Sequence, residues 1–190
     1  MSELKITFNL SEQDVAHLRR LIRKSTTVAS RESEGSILAA AESLAKQVRS
    51  AQPPDYVVER VAKLESLVGM VQDADYQIPV AVRKKVLGAL AYLSAPADLI
   101  PDAIPGLGFL DDAIMIELIA QDLRHELWGY SRFCSFREST EQRPWTRVGK
   151  GALQTKLNEK RKQLRDEIRK KHARDTERVK KGGGLLKGLW

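Results

Sequence analysis

Apolar residues recur at every third or fourth position through most of this 190-residue chain. The clearest run is Val57, Val61, Leu64, Val68 and Val71, which places five side chains on one face of an α-helix. Comparable patterns predict helices from Ser11 through Ile22, Ser36 to Val48, Val80 to about Ser94, Asp111 or Asp112 to about Phe133, and Lys150 to Lys181. Alternating strand patterns and hairpin signals are absent. The predicted fold class is therefore all-α, a compact multi-helix bundle.

Charge divides the chain into two parts. The net charge is +7, yet residues from Arg147 onward contain 15 Lys and Arg against 5 Asp and Glu, while the preceding residues contain 17 against 20. An acidic body joined to a basic tail indicates an anionic partner for the tail. We predict a helical body over 1–140, a basic helical arm over 141–181, and a glycine hinge followed by an apolar terminal peptide over 182–190.

The arm has few apolar residues to bury. They are Leu153, Leu157, Leu164, Ile168 and Val179, and the rest is rich in Lys, Arg, Glu and Gln. A stripe this thin does not suit an ordinary core helix. It predicts a projecting basic C-terminal helix, with loose docking or pairing with another chain as alternatives.

The cellular compartment is inferred from what the sequence lacks. Cys134 is the single cysteine, so we expect no internal disulfide, a reducing compartment and a buried thiol. The first residues lack the pattern of a signal peptide, and no apolar run approaches the roughly 20 residues of a transmembrane helix. We predict a cytoplasmic protein, with peripheral attachment at the inner face of the membrane as an alternative.

A segment rich in proline and aspartate, YLSAPADLIPDAIPGLGFLDD, lies in the most apolar region, at 92–112. Asp98 is placed to cap a single helical turn with Pro101 inside it, and Pro105 disfavours its continuation. Asp111 is placed to cap the next helix. The segment therefore predicts a proline-rich connector between two buried helices.

The aspartates leave a second interpretation open. Asp98 and Asp102 lie four residues apart, where like charges repel, so a compensating cation is expected. It could come from Arg83, Lys84 or Lys85, which is the preferred interpretation. Alternatives are a partner-binding surface, or a divalent metal held by oxygen ligands from Asp98, Asp102, Asp111 and Asp112.

Enzyme chemistry ranks last among the predictions. No nucleophile–base pair or phosphate-binding glycine loop accompanies the aspartates. A metal-dependent enzyme would need Mg²⁺ and a substrate phosphate, with Arg83 or Lys84 assisting. We therefore predict no catalytic residues and no required cofactor.

The connector also carries a family resemblance. Its motif residues are Tyr92, Pro96, Asp98, Pro101, Asp102, Pro105, Gly108, Asp111 and Asp112. At this fixed spacing, over about 80–118, they resemble the signature of the YkvA-like family, small helical bacterial domains of no established molecular function. The resemblance implies a helical fold and no particular reaction. Family members often look membrane-associated, whereas the charged face here favours a soluble or peripheral version.

The sequence best supports a non-catalytic adaptor that uses its arm for contact. The expected docking residues are Lys160, Arg161, Lys162, Lys170, Lys171, Lys180, Lys181, Leu185, Leu186, Leu189 and Trp190. Their partner would be an anionic membrane surface or a larger protein assembly. Nonspecific nucleic-acid binding is the alternative, although the arm has no interleaved aromatic residues for stacking. A homo-oligomer and an inert terminus also stay open.

Overall fold

Seven α-helices make up the fold. The computed structural model describes residues 9–29, 32–51, 53–93, 109–141 and 150–181, and within these ranges it contains no β-strand. The helices are α1 (Glu12–Ala29), α2 (Glu34–Ser50), α3 (Asp55–Gln72), α4 (Val80–Leu93), α5 (Leu110–Asp122), α6 (Arg124–Glu141) and α7 (Lys150–Lys181). The predicted all-α bundle is confirmed.

Helix α3 lies at the centre of the bundle. It packs against α2 and α5 and also touches α4 and α6, while α1 lies along α4 and α7 along α6. All five residues of the run from Val57 to Val71 are buried. Leu67, Leu90 and Ile116 join them in one hydrophobic core. The regular apolar spacing of α3 therefore produces the face on which the other helices assemble.

Local side-chain contacts fix where the first two helices begin. At α1, the Ser11 backbone N–H donates to Asp14 Oδ2 at 2.9 Å and the Asp14 N–H donates to Ser11 Oγ at 3.2 Å, a reciprocal cap of the predicted kind. At α2, Ser33 Oγ accepts from the Ser36 N–H at 3.1 Å. Helix α2 thus begins before the predicted start at Ser36, and α1 continues past Ile22 to Ala29.

The single helix predicted from Asp111 to Phe133 is wrong. The chain departs from helical geometry at Leu123, where φ is −108° and ψ is 19°. Leu123 is buried, and this bend separates α5, which packs on α3, from α6, which packs on α7. The N-cap of α5 is also not Asp111: Phe109 occupies that position with a left-handed backbone (φ 63°). Asp111 lies in the first turn, where its charge suits the helix dipole.

Helix α7 packs on α6, which corrects the expectation that it projects from the body. Leu157 and Leu164 are 1% and 2% exposed and belong to the core. A Cβ added at Gly129 would lie 2.5 Å from Ile168 Cδ1, so the missing side chain lets the two helices approach closely. Two buried leucines can therefore secure a helix whose apolar stripe is thin.

Candidate functional site

The two ends of the proline–aspartate motif lie together in the bundle. Tyr92, near the end of α4, is half-buried, and so are Asp111 and Asp112 at the start of α5. Burial raises the pKa of the Tyr92 hydroxyl, and the nearby charges of Asp111 and Asp112 raise it further. The motif residues at its two ends therefore form one cluster, with the carboxylates beside the phenol.

The middle of the motif falls outside the described residues. It comprises Pro96, Asp98, Pro101, Asp102, Pro105 and Gly108. The cap at Asp98 and the four-aspartate metal site accordingly stay predictions. Within the described ranges, no group of three or more His, Cys, Asp or Glu side chains is arranged to hold a metal ion.

Arg83 does not face the aspartates as expected. Its Nε donates to Glu34 Oε2 at 3.0 Å and its Nη1 donates to the Val71 carbonyl at 2.9 Å. The hydrogen bond from Arg83 lowers the pKa of Glu34. Because Arg83 ties α4 to α2 and α3, it is already engaged in holding the bundle together, and we no longer expect it to compensate Asp98 and Asp102.

The outer face of α7 is basic at its C-terminal end. Between residues 169 and 180, five Lys and Arg side chains are exposed against one exposed acid, Glu177. The five are Arg169, Lys170, Arg174, Arg178 and Lys180. We call these five residues the basic face. Arg169 pairs with Asp166 on the same helix, an exposed pair of small energetic weight, so the face stays strongly positive.

The predicted docking residues divide into two groups. Lys162, Lys170 and Lys180 are exposed. Lys160 and Lys171 instead lie over the rings of Phe136 and Trp128, at 5.5 and 4.2 Å from their centroids.

Arg161 belongs to the second group, because it donates to the Asp75 carbonyl at 2.7 Å and so contacts the body of its own chain. The side chain of Lys181, together with Leu185, Leu186, Leu189 and Trp190, lies outside the described residues.

A charged cluster missed at the sequence level joins α6 to α7. His172 Nε2 lies 2.9 Å from Glu126 Oε1, and His125 Nε2 lies 2.7 Å from Asp175 Oδ2. The two imidazole rings meet edge to face at 4.8 Å. We call these four residues the seam. No sequence signal marked it, because the partners are 46 and 50 residues apart.

Burial makes the seam specific. The Glu126 residue is 8% exposed, and its Oε2 has no hydrogen-bond partner among the described residues. The nearby Glu126 charge adds to burial in raising the pKa of Tyr76 to about 12. The hydrogen bond from His125, followed by that from Arg124, lowers the pKa of Asp175. These contacts fix the register of α7 along α6, because a shifted helix would leave a buried carboxylate without its partner.

Cys134 is half-buried on α6. Burial raises the pKa of its thiol, and the thiolate is the form that acts as a nucleophile. The predicted role as a small packing residue is therefore the better account of Cys134.

An apolar groove of about 620 Å³ opens between α1, α3 and α5, with the end of α7 beside it. Its apolar lining comprises Leu10, Val15, Tyr56, Leu110, Ile114 and Leu118. Leu10 and Tyr56 are 44% and 37% exposed. They are two of the three large apolar side chains that are exposed in the described part of the chain.

Comparisons with known proteins concern the segment around α4 and α5. Residues 82–118 match the family described as "Protein of unknown function (DUF1232)". Over 45 residues the chain is 44% identical to the "Uncharacterized membrane protein YkvA" of Bacillus subtilis (strain 168). The chain carries a YkvA-like segment. The aligned region covers 24% of this chain and 42% of the Bacillus protein. No solved structure matches the chain.

The YkvA-like segment supplies most of α4 and α5, whereas α1, α2, α3, α6 and α7 lie outside it. Its residues Leu110, Ile114 and Leu118 line the apolar groove. The groove is therefore built jointly by the YkvA-like segment and by helices particular to this chain. None of the described helices is long and apolar enough to cross a membrane.

Proposed function

We propose that this protein is a non-catalytic adaptor that docks on an anionic membrane surface through the basic face and residues 182–190. The basic face is the observation that carries the proposal. Helix α7 turns Leu157 and Leu164 into the core and leaves five Lys and Arg side chains exposed between 169 and 180. The end of the helix therefore offers a rigid positive surface directly before the tail.

Electrostatics and burial combine in this arrangement. Each Lys or Arg near an anionic leaflet contributes about 1 kcal/mol, falling off within a Debye length. Residues 185–190, LLKGLW, add three leucines and a tryptophan, types that insert into the interfacial region of a bilayer. Neither signal alone is strong, but together they make a stable peripheral contact.

A membrane is favoured over nucleic acid as the anionic partner. Residues 150–181 contain no Phe, Tyr or Trp, so α7 lacks the stacking side chains typical of single-strand binders. The Bacillus relative of the YkvA-like segment is described as a membrane protein, which supports the same choice.

Co-sedimentation of the full chain with anionic and neutral vesicles tests the proposal. The decisive variant reverses three charges of the basic face, Lys170→Glu, Arg174→Glu and Arg178→Glu. It should lose more than about 100-fold in affinity for anionic vesicles, because the three lost cations alone account for about 3 kcal/mol. The wild-type chain should bind anionic vesicles and not neutral ones.

A matched control makes the same charge change elsewhere on the surface. Lys46, Lys84 and Arg132 are exposed on α2, α4 and α6, and reversing them to Glu should leave most of the binding intact. Equal loss in both triple variants would show that net charge alone is responsible, and the proposed docking surface would be wrong. Equal binding of the wild-type chain to neutral vesicles would also contradict it.

A further inference from the structure

The apolar groove leaves hydrophobic surface uncovered within the described part of the chain. Leu10 and Tyr56 on its rim are 44% and 37% exposed, and Ile114 in its lining is half-buried. Covering such surface is favourable, at roughly 25 cal/mol for each Å² of apolar area removed from water. An apolar occupant would therefore gain stability there.

The charged residues of the groove do not favour an anionic ligand. Arg19 pairs with Asp122 at 2.8 Å, Arg60 pairs with Glu117 at 3.2 Å, and Arg124 pairs with Asp175. Each arginine that lines the groove already has a carboxylate of this chain beside it. The groove therefore selects for apolar side chains and not for a phosphate or carboxylate group.

The chain itself carries a suitable occupant within reach. Asp175 of α7 lines the groove, and Lys181, where α7 ends, is six residues further on, about 9 Å along the helix axis. Nine more residues follow, beginning with three glycines. When extended, nine residues span about 30 Å, and glycine permits the reversal of direction that a return requires.

We propose that residues Leu185–Trp190 of this chain occupy the apolar groove when the protein is not docked. Leu185, Leu186, Leu189 and Trp190 supply the apolar groups, while Lys187 keeps its charge at the rim. The seating itself does not depend on a membrane. Its release does rest on the proposed function, because the same apolar residues would then exchange the groove for the bilayer interface.

This arrangement would make docking self-limiting. A tail held in the groove reduces the fraction of molecules competent to bind by the population of the seated state. Only a surface that also attracts the basic face would compete successfully for the tail. Specificity for anionic membranes would then arise from two requirements met together, since neutral bilayers would not recruit the basic face.

Disulfide trapping in the full chain tests the seating without any membrane. Gln121 is exposed and lines the groove, so Gln121→Cys and Lys187→Cys are combined with Cys134→Ser, which removes the native thiol. Under mild oxidation we expect an intramolecular disulfide, identified by mass spectrometry of the monomer. Circular dichroism checks that the variant keeps its helical content.

The matched control changes the tail chemistry and preserves its length. Adding Leu186→Ser and Leu189→Ser to the same cysteine pair should slow the intramolecular disulfide by about tenfold, the factor for losing one well-buried leucine contact. Tyr56→Asp in the groove should slow it similarly. Equal rates with and without the serines would overturn the proposal, because the disulfide would then reflect tethering alone.

Other occupants give distinct results. If residues 1–8 or a bound lipid filled the groove, the disulfide between positions 121 and 187 would form no faster with the native tail than with the serine tail, and the proposal would be wrong. Anionic vesicles should slow the disulfide of the native tail. If the disulfide depends on the leucines but vesicles neither bind nor slow it, the seating holds and the membrane function fails.

Discussion

Replacing Leu164 by alanine tests whether α7 is an integral part of the bundle. The side chain is 2% exposed and belongs to the hydrophobic core, although it lies on a helix that the sequence predicted to project. Truncation of a buried leucine costs about 2–5 kcal/mol, which combines the lost transfer free energy with that of the cavity. We expect a loss of about 3 kcal/mol in the free energy of unfolding.

For a chain of 190 residues, that loss corresponds to a decrease in Tm of about 8 °C. Urea denaturation followed by far-ultraviolet circular dichroism measures it, with thermal melts as a second readout. The control is Lys162→Ala, an exposed position on the same helix, which should change the free energy by less than about 0.5 kcal/mol. If Leu164→Ala were as mild as this control, the packing of α7 on α6 would be refuted.

Two further predictions concern the contact between α6 and α7. Gly129→Ala should destabilise the protein by about 1 kcal/mol, because crowding against Ile168 exceeds the gain in helix propensity. Adding Ile168→Val should recover part of this loss, whereas stabilisation by Gly129→Ala alone would show that the helices are further apart. The lowered pKa of Asp175 makes its contribution to stability present above about pH 4 and lost as the pH falls through the folded-state pKa. In urea denaturation, Asp175→Asn should therefore cost about 0.5 kcal/mol at about pH 6 and nothing near pH 2; an undiminished cost at the lower pH would mean that its ionised form is not the stabilising one.

The central helix could be predicted from the sequence because its pattern is local. Every residue of the run from Val57 to Val71 is buried, as the spacing of four and three required. The cap at Ser11 and Asp14 was equally visible, since both partners lie within one helical turn. Periodicity and capping are properties of a short stretch of chain, so they can be read without knowing the fold.

What the sequence did not reveal depends on contacts between distant helices. Nothing local marks Leu123 as the bend, since it is neither proline nor glycine and its own burial decides its conformation. The burial of Leu157 and Leu164 depends on α6, where Gly129 leaves room for Ile168. A thin apolar stripe is sufficient when the facing helix has no side chain in the way.

The candidate site shows the same division. The excess of basic residues near the end of α7 could be counted from the sequence, and those that proved exposed form the basic face. The roles of Lys160 and Arg161 could not be foreseen, because each depends on a partner on another element: the Phe136 ring and the Asp75 carbonyl. Composition predicts how much charge a helix carries, but only packing decides which charges are available.

Arg161 and Arg165 give α7 a mechanical connection to the start of the YkvA-like segment. They donate to the carbonyls of Asp75 and Gln77, in the short turn that leads into α4, where Gln77 has a positive φ of 50°. A force that pulls α7 along its axis is therefore transmitted to this turn and not only to α6. Tension applied at the tail would load α4 through two arginines, which act as rigging between the end of the chain and its most family-like element.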